Sequence, residues 1–253
     1  MTDRDVEYVG LMAKAWDALR GDTSNWDDRH FYLDLIRERG EPVLDVGCGT
    51  GRLLLDYLGL GIDVDGIDNS AEMLALCRRK ARRLGLTPNL YLQSMTDLDL
   101  PRRYRTIIVP SSSFQLLLER EEAGRTLDAF RRHLEAGGTL AMPIIVLEKS
   151  YDRAWKAEAP LEDGSTVRRS ARELFDPSTR IESTDDLYEV FRDGELIRSE
   201  RHARDSATLA WTADELRSAL IAHGFDNLEF LSGFTREPHK PGDEIFTVLA
   251  RRR

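Results

Sequence analysis

Residues 43–58, VLDVGCGTGRLLLDYL, hold the side chains and spacings best suited to chemistry. An apolar run carrying Asp45 gives way to Gly47, Gly49 and Gly51 in alternation, and a helical pattern follows. Glycine admits positive φ and lets backbone approach a ligand closely, and the first turn of a helix leaves N–H groups without partners. In an open α/β sheet, ligands sit in the crevice beyond such a strand end. The spacing is G-x-G-x-G rather than the G-x-G-x-x-G of dinucleotide turns, and Asp45 precedes the first glycine by two positions. Downstream, GIDNSAEML ends the next apolar run at Asp68, before a second helical stretch. Asp68, Asn69 and Ser70 have the residue types of a helix cap. One helix and one strand after a G-x-G-x-G turn, Asp68 is also placed to accept from both hydroxyls of a ribose.

These residues need a sheet to hold them. LMAKAWDALR and HFYLDLIRER carry apolar residues at helical spacing, Gly40 stops the second helix, and Pro42 starts an extended run. Strands are expected at 43–46, 64–68, 90–92, 106–109 and 139–146, with helices near 51–60, 71–85 and 119–135 between them. Short apolar runs alternating with amphipathic helices imply a parallel sheet covered on both faces. After about Leu147 charge and turn formers dominate, and Asp193-Gly194 suits a tight hairpin, so an antiparallel insertion is expected over 148–208. Asp163-Gly164 marks a further turn there. WTADELRSALIAHGF then opens with a Thr212/Glu215 capping box and closes on Gly224, and two last strands follow in NLEFLSGF and EIFTVLARR.

The 253 residues carry 36 Lys+Arg against 45 Asp+Glu, a formal charge of −9, which disfavours nonspecific nucleic-acid or anionic-lipid binding. No apolar run approaches the ~20 residues of a membrane helix, and MTDRDVEYVG lacks the basic-then-apolar order of a secretory leader. Two cysteines make no disulfide framework and no zinc set, so a cytoplasmic location is expected; Cys48 reads as a small packing residue, not a nucleophile. The histidines show no metal-ligand spacing, and no metal is expected.

On DVGCGTG and GIDNSAEML the chain resembles the class I S-adenosylmethionine-dependent methyltransferases, over roughly residues 40–145 and 211–253. The resemblance implies an α/β fold: a Rossmann-like, seven-stranded, mostly parallel sheet with an antiparallel last strand, here with a small antiparallel β insertion. It implies S-adenosyl-L-methionine as cofactor, with Gly47, Cys48, Gly49 and Gly51 wrapping its methionine part. Asp45 would face its amino group, Asp68 and Asn69 its ribose, and Met73 its adenine, although Met73 is equally an ordinary core position. Ser94 stands where relatives carry an acid that binds the adenine amino group; either Ser94 or Asp97 makes that contact, beside Met95 and Thr96. Val109-Pro110-Ser111 replaces the Asn/Asp-Pro-Pro-aromatic motif of N6-adenine and amide methyltransferases, while Pro110, Ser111 and Phe114 lie where the sulfonium and acceptor should meet.

The insertion looks like that of small-molecule enzymes such as aminosugar and glycine-type N-methyltransferases, where it serves as an acceptor lid. Trp16 and Trp26 fall in segments that close over the cofactor in that subgroup, and both also suit plain packing. Arg168, Arg169 and Arg172 read as solvated charges, with an anionic acceptor as the sharper alternative. The expectation is methyl transfer to a nitrogen or oxygen of a small molecule by a monomer or homodimer, its cofactor domain formed by 1–147 and 209–253. An RNA or protein methyltransferase, resting on Arg102, Arg103 and Arg105, and a non-catalytic cofactor-binding module are the alternatives.

Overall fold

The computed structural model describes residues 8–253; the first seven, on which the leader reading partly rests, lie outside the described residues. In chain order the elements are α1 (Gly10–Arg20), α2 (Asp27–Arg39), β1 (Val43–Val46), α3 (Leu54–Gly59), β2 (Val64–Asp68), α4 (Ala71–Leu84) and β3 (Asn89–Leu92). Next come β4 (Tyr104–Ile108), a 3-10 turn (Ser113–Leu116), α5 (Arg120–His133) and β5 (Leu134–Ile145). Four strands follow, β6 (Tyr151–Pro160), β7 (Thr166–Asp176), β8 (Ile181–Arg192) and β9 (Glu195–Leu209), then α6 (Ala213–Ala222), β10 (Phe225–Ser232) and β11 (Ile245–Arg252).

The chain forms two compact units, one of Ser24–Val146 with Trp211–Arg253, the other of Leu147–Ala210 with the segment up to Thr23. In the first, a seven-stranded sheet runs β10-β11-β5-β4-β1-β2-β3. β1 pairs in parallel with β2 and β4, and β11 runs antiparallel to β5, which gives the expected Rossmann-like sheet. All four residues of β1 are buried, which explains the short, nearly continuous apolar run. Asp45 is its one polar member. Tyr32, Leu35 and Ile36 of α2, Leu54 and Tyr57 of α3, and Leu74 and Cys77 of α4 build the core around β1. The Ser70 side chain accepts from the Met73 N–H at 3.1 Å and starts α4, and the Thr212/Glu215 capping box starts α6.

Parallel strands send their carboxyl ends to one edge, so Val46, Asp68, Ile108 and Ile145 finish on the same side. Arg102, Arg103 and Arg105 precede or open β4 and therefore lie at the opposite edge, not beside the crevice. There Arg102 pairs with Asp63 and Asp65, and Arg105 donates to the Arg39 and Ala136 carbonyls. The basic support for a nucleic-acid surface is thus spent on structure.

In the second unit β6–β9 form an antiparallel meander, and Asp193 and Gly194, at φ 53° and 84°, make the β8–β9 turn as expected. The placement of α1 corrects the expected boundary, which had put residues 1–147 in the cofactor domain. Leu11, Met12 and Ala15 form one core cluster with Ala159, Val167, Tyr188 and Val190 of the inserted sheet. Helical periodicity reveals an apolar face but not the surface that covers it.

Gly51 shows how tightly α3 and α4 fix the turn. A Cβ there would stand 2.6 Å from Cys77 Sγ and 2.8 Å from Leu55 Cγ, at φ +85°. At Gly49, φ +55°, the nearest atom is Met73 Cε at 3.4 Å. Gly51→Ala is therefore expected to cost about 2–5 kcal/mol through strain plus overpacking, and Gly49→Ala about 1–2 kcal/mol through strain alone. Urea unfolding of both variants checks this; equal losses would contradict it.

Candidate functional site

The turn after β1 satisfies most of its own backbone. Cys48 N–H donates to the Ile67 carbonyl and Gly51 N–H to the Cys48 carbonyl, both at 2.9 Å. Gly49 N–H donates to Asp68 Oδ2 at 2.8 Å, and Ser70 N–H to Asp68 Oδ1 at 2.8 Å. Asp68 therefore ties the glycine turn to the start of α4, while Ser70 caps the helix. Burial raises its pKa, and the Ser70, Gly49 and Asn69 amides oppose that rise. A carboxylate has four acceptor directions, and the three amides leave Asp68 one for a ligand hydroxyl. Loop packing also separates the glycines. Gly51 faces Cys77 and Leu55, whereas a Cβ at Gly47 would meet Ser113 Oγ at 3.0 Å and one at Gly49 would meet Met73. Met73 and the 110–113 turn after β4 are thereby gathered at the same strand edge as the glycines.

Asp45 is the exceptional group. It is 1 % exposed, its Oδ1 has no hydrogen-bond partner, and its pKa is pushed up to about 7. Burial is the main cause; Asp68 and Asp28 add to it, and Arg52 and the Leu54 amide oppose it. Arg52 pairs with Asp28 through both terminal nitrogens, one at 3.0 Å and one shorter, and its guanidinium lies 5.0 Å from the Trp26 ring centroid. Tyr57 Oη donates to the Arg29 carbonyl at 2.8 Å, and the Tyr32 hydroxyl is buried without a partner. Asp28, Asp45 and Asp68 thus converge with Arg52 as the cation acting on Asp45. A strand end with clustered buried carboxylates and an orphaned carboxylate oxygen fits a cationic ligand. S-adenosylmethionine, with its sulfonium and ammonium, meets that requirement.

The other expected residues divide. Met73 is 2 % exposed beside Gly49; Pro110 is buried, Ser111 is exposed, and Ser111 and Ser112 take φ 56° and 59°. Phe114, expected at the acceptor, is fully buried and stacks on Trp211 with centroids 5.6 Å apart, so its ring offers an acceptor no surface. Ser94 is exposed and bonded to Thr96 Oγ1 at 2.9 Å in a local turn, with Met95 half-buried next to it. Trp26 is 39 % exposed over Arg52. Trp16 belongs to the other unit, where it packs edge-on against Tyr8 and under Arg20. In that unit Arg168 pairs with Glu158, Arg169 with buried Asp186, and Arg172 with Asp152 through two bonds. Cross-strand carboxylates pair all three, which leaves the alternative of an anionic acceptor without support. Burial raises the Cys48 thiol well above its ordinary pKa, as a packing residue requires. Among the described residues no three His, Cys, Asp or Glu side chains converge as a metal site, and no helix is long and apolar enough to cross a membrane.

Sequence reasoning missed Asp28, Arg52, Tyr32 and Ser113. Arg52 directly follows the last glycine, which is the one available signal; Asp28, 24 residues away, has the residue type and place of an ordinary acid in the first turn of a helix.

A methyltransferase domain model matches residues 43–138. The chain is 29 % identical over 191 residues to the dTDP-3-amino-3,6-dideoxy-alpha-D-glucopyranose N,N-dimethyltransferase of Streptomyces fradiae, covering 70 % of this chain and 71 % of that one. An S-adenosylmethionine-dependent methyltransferase of Clostridium acetobutylicum shares the fold, with TM-score 0.75, 21 % identity and coverage of 92 % and 94 %. A sugar N-methyltransferase of Streptoalloteichus sp. superposes with TM-score 0.72 at 25 % identity, covering 92 % of this chain and 90 % of that one. The fold and the glycine turn define a Rossmann-like methyltransferase. Residues 43–138 carry a methyltransferase domain, the whole chain is similar to S-adenosylmethionine-dependent methyltransferases, and S-adenosyl-L-methionine is its cofactor.

Because Asp45 has a folded pKa near 7 against an ordinary 3.8, the folded chain holds more protons than the unfolded one between those values. Stability from this group therefore falls as pH rises from about 4 to 7 and stays low above. Asp45→Asn is expected to stabilise the ligand-free protein at pH 8 by at least about 1 kcal/mol, roughly 2–4 °C in melting temperature, with the gain shrinking toward pH 4. Calorimetric melts across pH check this; a lower melting temperature at pH 8 would contradict it.

Proposed function

We propose that this methyltransferase transfers a methyl group to a nitrogen of a small polar molecule, with an oxygen acceptor as the second possibility of the same class. The observation that carries the cofactor half of this reading is the unpaired, buried Asp45 oxygen beside the glycine turn. The bound cofactor supplies a methyl group on an electrophilic sulfonium. Asp45 would accept from its ammonium, the remaining acceptor direction of Asp68 would take a ribose hydroxyl, and Met73 would support the adenine face. The buried Pro110 and the turn behind it wall the strand edge where the methyl group must lie, excluding water from one side. With the leaving group this reactive, holding the acceptor in line is the protein's main task, and a base is needed only for a protonated amine.

The acceptor class rests on the relatives, whose names specify amino groups on sugars. The inserted strands are proposed to choose the acceptor, because β5 delivers the chain into them from the sheet edge that carries the glycine turn. Macromolecular acceptors lose their support now that Arg102 and Arg105 sit at the opposite edge in ion pairs and carbonyl contacts.

Two measurements test this reading. Calorimetry should show micromolar binding of S-adenosylhomocysteine and none of NAD; the reverse would remove the cofactor assignment. Tritiated methyl transfer to pools of aminosugar nucleotides, small amines, hydroxylated metabolites, RNA and protein should label the small-amine pools. Label confined to RNA or protein would overturn the small-molecule reading.

A further inference from the structure

The two faces of the inserted sheet spend their polar groups differently. On one face Arg168, Arg172 and Arg201 each give two nitrogens to a cross-strand carboxylate, of Glu158, Asp152 and Asp185 respectively. The opposite face is the one α1 packs on, with Ala159, Val167, Tyr188 and Val190 at its covered end. Toward the other end, where the chain enters β6 and leaves β9, this face carries Trp155, Arg169, Thr184, Asp186 and His202. Asp186 is buried, and Arg169 reaches it through Nε alone at 2.8 Å, so both terminal guanidinium nitrogens make no hydrogen bond among the described residues. Thr184 Oγ1 and His202 Nε2 are buried without a hydrogen-bond partner. The imidazole stands 3.5 Å from Glu200 Oε2 and edge-on to Tyr188, with ring centroids 5.6 Å apart. Trp155 is 36 % exposed, and the Arg169 guanidinium lies 4.6 Å from its ring centroid.

We propose that this part of the inserted sheet seats the non-reacting portion of the methyl acceptor, and that the portion it takes is an uncharged ring bearing several hydroxyl groups. The proposal rests on the reading of the inserted strands as the element that chooses the acceptor. A buried polar atom left unpaired costs stability, and several side by side persist where a ligand completes them. Here they occupy neighbouring register positions, with Asp186 opposite His202 and Thr184 two residues along β8. A sheet built for stability alone gains from valine at 184, which keeps the branched shape without the hydroxyl. A hydroxyl both donates and accepts, so a ring with adjacent hydroxyls can satisfy Thr184 Oγ1, the His202 nitrogen and the Arg169 fork together. The charges of Arg169 and Asp186 cancel, so the pair offers directed hydrogen bonds rather than attraction for an ion. Trp155 adds an exposed aromatic surface for the C–H face of such a ring, which a flexible aliphatic amine would not use.

The test is ligand-observed NMR of glucosamine and cyclohexylamine at millimolar concentration, with the full chain held in S-adenosylhomocysteine, for the wild type, Thr184→Val, Trp155→Ala and Arg172→Gln. Glucosamine should bind about tenfold more tightly than cyclohexylamine, which has the ring and the amine without the hydroxyls. Thr184→Val should weaken glucosamine about three- to tenfold, the worth of one neutral hydrogen bond, while its melting temperature holds or rises. Trp155→Ala should weaken it by a similar factor, and Arg172→Gln, on the opposite face, should leave it unchanged. Equal binding of the two amines, no binding of either, or the same loss in Arg172→Gln as in Thr184→Val would overturn the proposal. So would a Thr184→Val variant that melts earlier and binds glucosamine as the wild type does, since the hydroxyl would then be structural. Tritiated methyl transfer from S-adenosylmethionine to glucosamine separates the two readings. Binding that depends on Thr184 with no methyl moved keeps the ring site and removes amine methylation. Methyl moved equally well by every variant keeps amine methylation and removes the ring site.

Discussion

Buried negative charge at the end of β1 governs the design of the cofactor unit. Asp45 occupies a strand position that is apolar at every other residue, and placing a carboxylate there is costly without compensation. The fold compensates only partly: Arg52 acts from one side and is itself bound by Asp28, while Asp68 adds a second carboxylate nearby. The remaining deficit explains why the strand, the glycine turn and α2 belong together. It also gives a physical reason for a cationic cofactor, since a ligand bearing sulfonium and ammonium relieves the deficit that the protein leaves open.

The glycines serve that arrangement in different ways. Gly51 is excluded from bearing a side chain by Cys77 and Leu55, so its role is to let α3 lie against α4. Gly49 has space around it and spends its N–H on Asp68, which makes the loop and the ribose-binding acid one connected unit. Gly47 lies against Ser113, and Ser113 donates to the Pro110 carbonyl at 2.7 Å, so the end of β4 is keyed to the end of β1. Stability and ligand binding are coupled here by shared hydrogen bonds. A substitution at Asp68 should therefore disturb both, because the Ser70, Gly49 and Asn69 amides lose their acceptor together.

Much of this was legible in the chain. β1 falls where the apolar run Val43–Val46 is interrupted by Asp45 alone, because a strand buried on both faces has no polar alternation to blur it. The Asp193-Gly194 turn and the Thr212 cap were readable because each depends on local backbone chemistry alone. What was not legible depended on distant partners. β5 begins at Leu134 rather than 139, since Gly137-Gly138 looks like a turn but is accommodated in the strand against Arg105. Arg168, Arg169 and Arg172 looked available because their carboxylate partners lie across the sheet, 10 to 20 residues away. The Asp28–Arg52 pair was hidden for the same reason, and α1 carried an apolar face whose cover is in the inserted strands.

Proton release on ligand binding probes the compensation at Asp45 most directly. Titrating S-adenosylmethionine into the wild type at pH 6, in buffers of different ionisation enthalpy, reports the protons exchanged per ligand bound. Asp45 is mostly protonated in the free protein at that pH and must ionise to hold an ammonium. Release approaching one proton per ligand, abolished in Asp45→Asn, is the expected result. Tight binding with no proton exchanged at pH 6 would contradict the view that a buried, uncompensated carboxylate selects the cofactor.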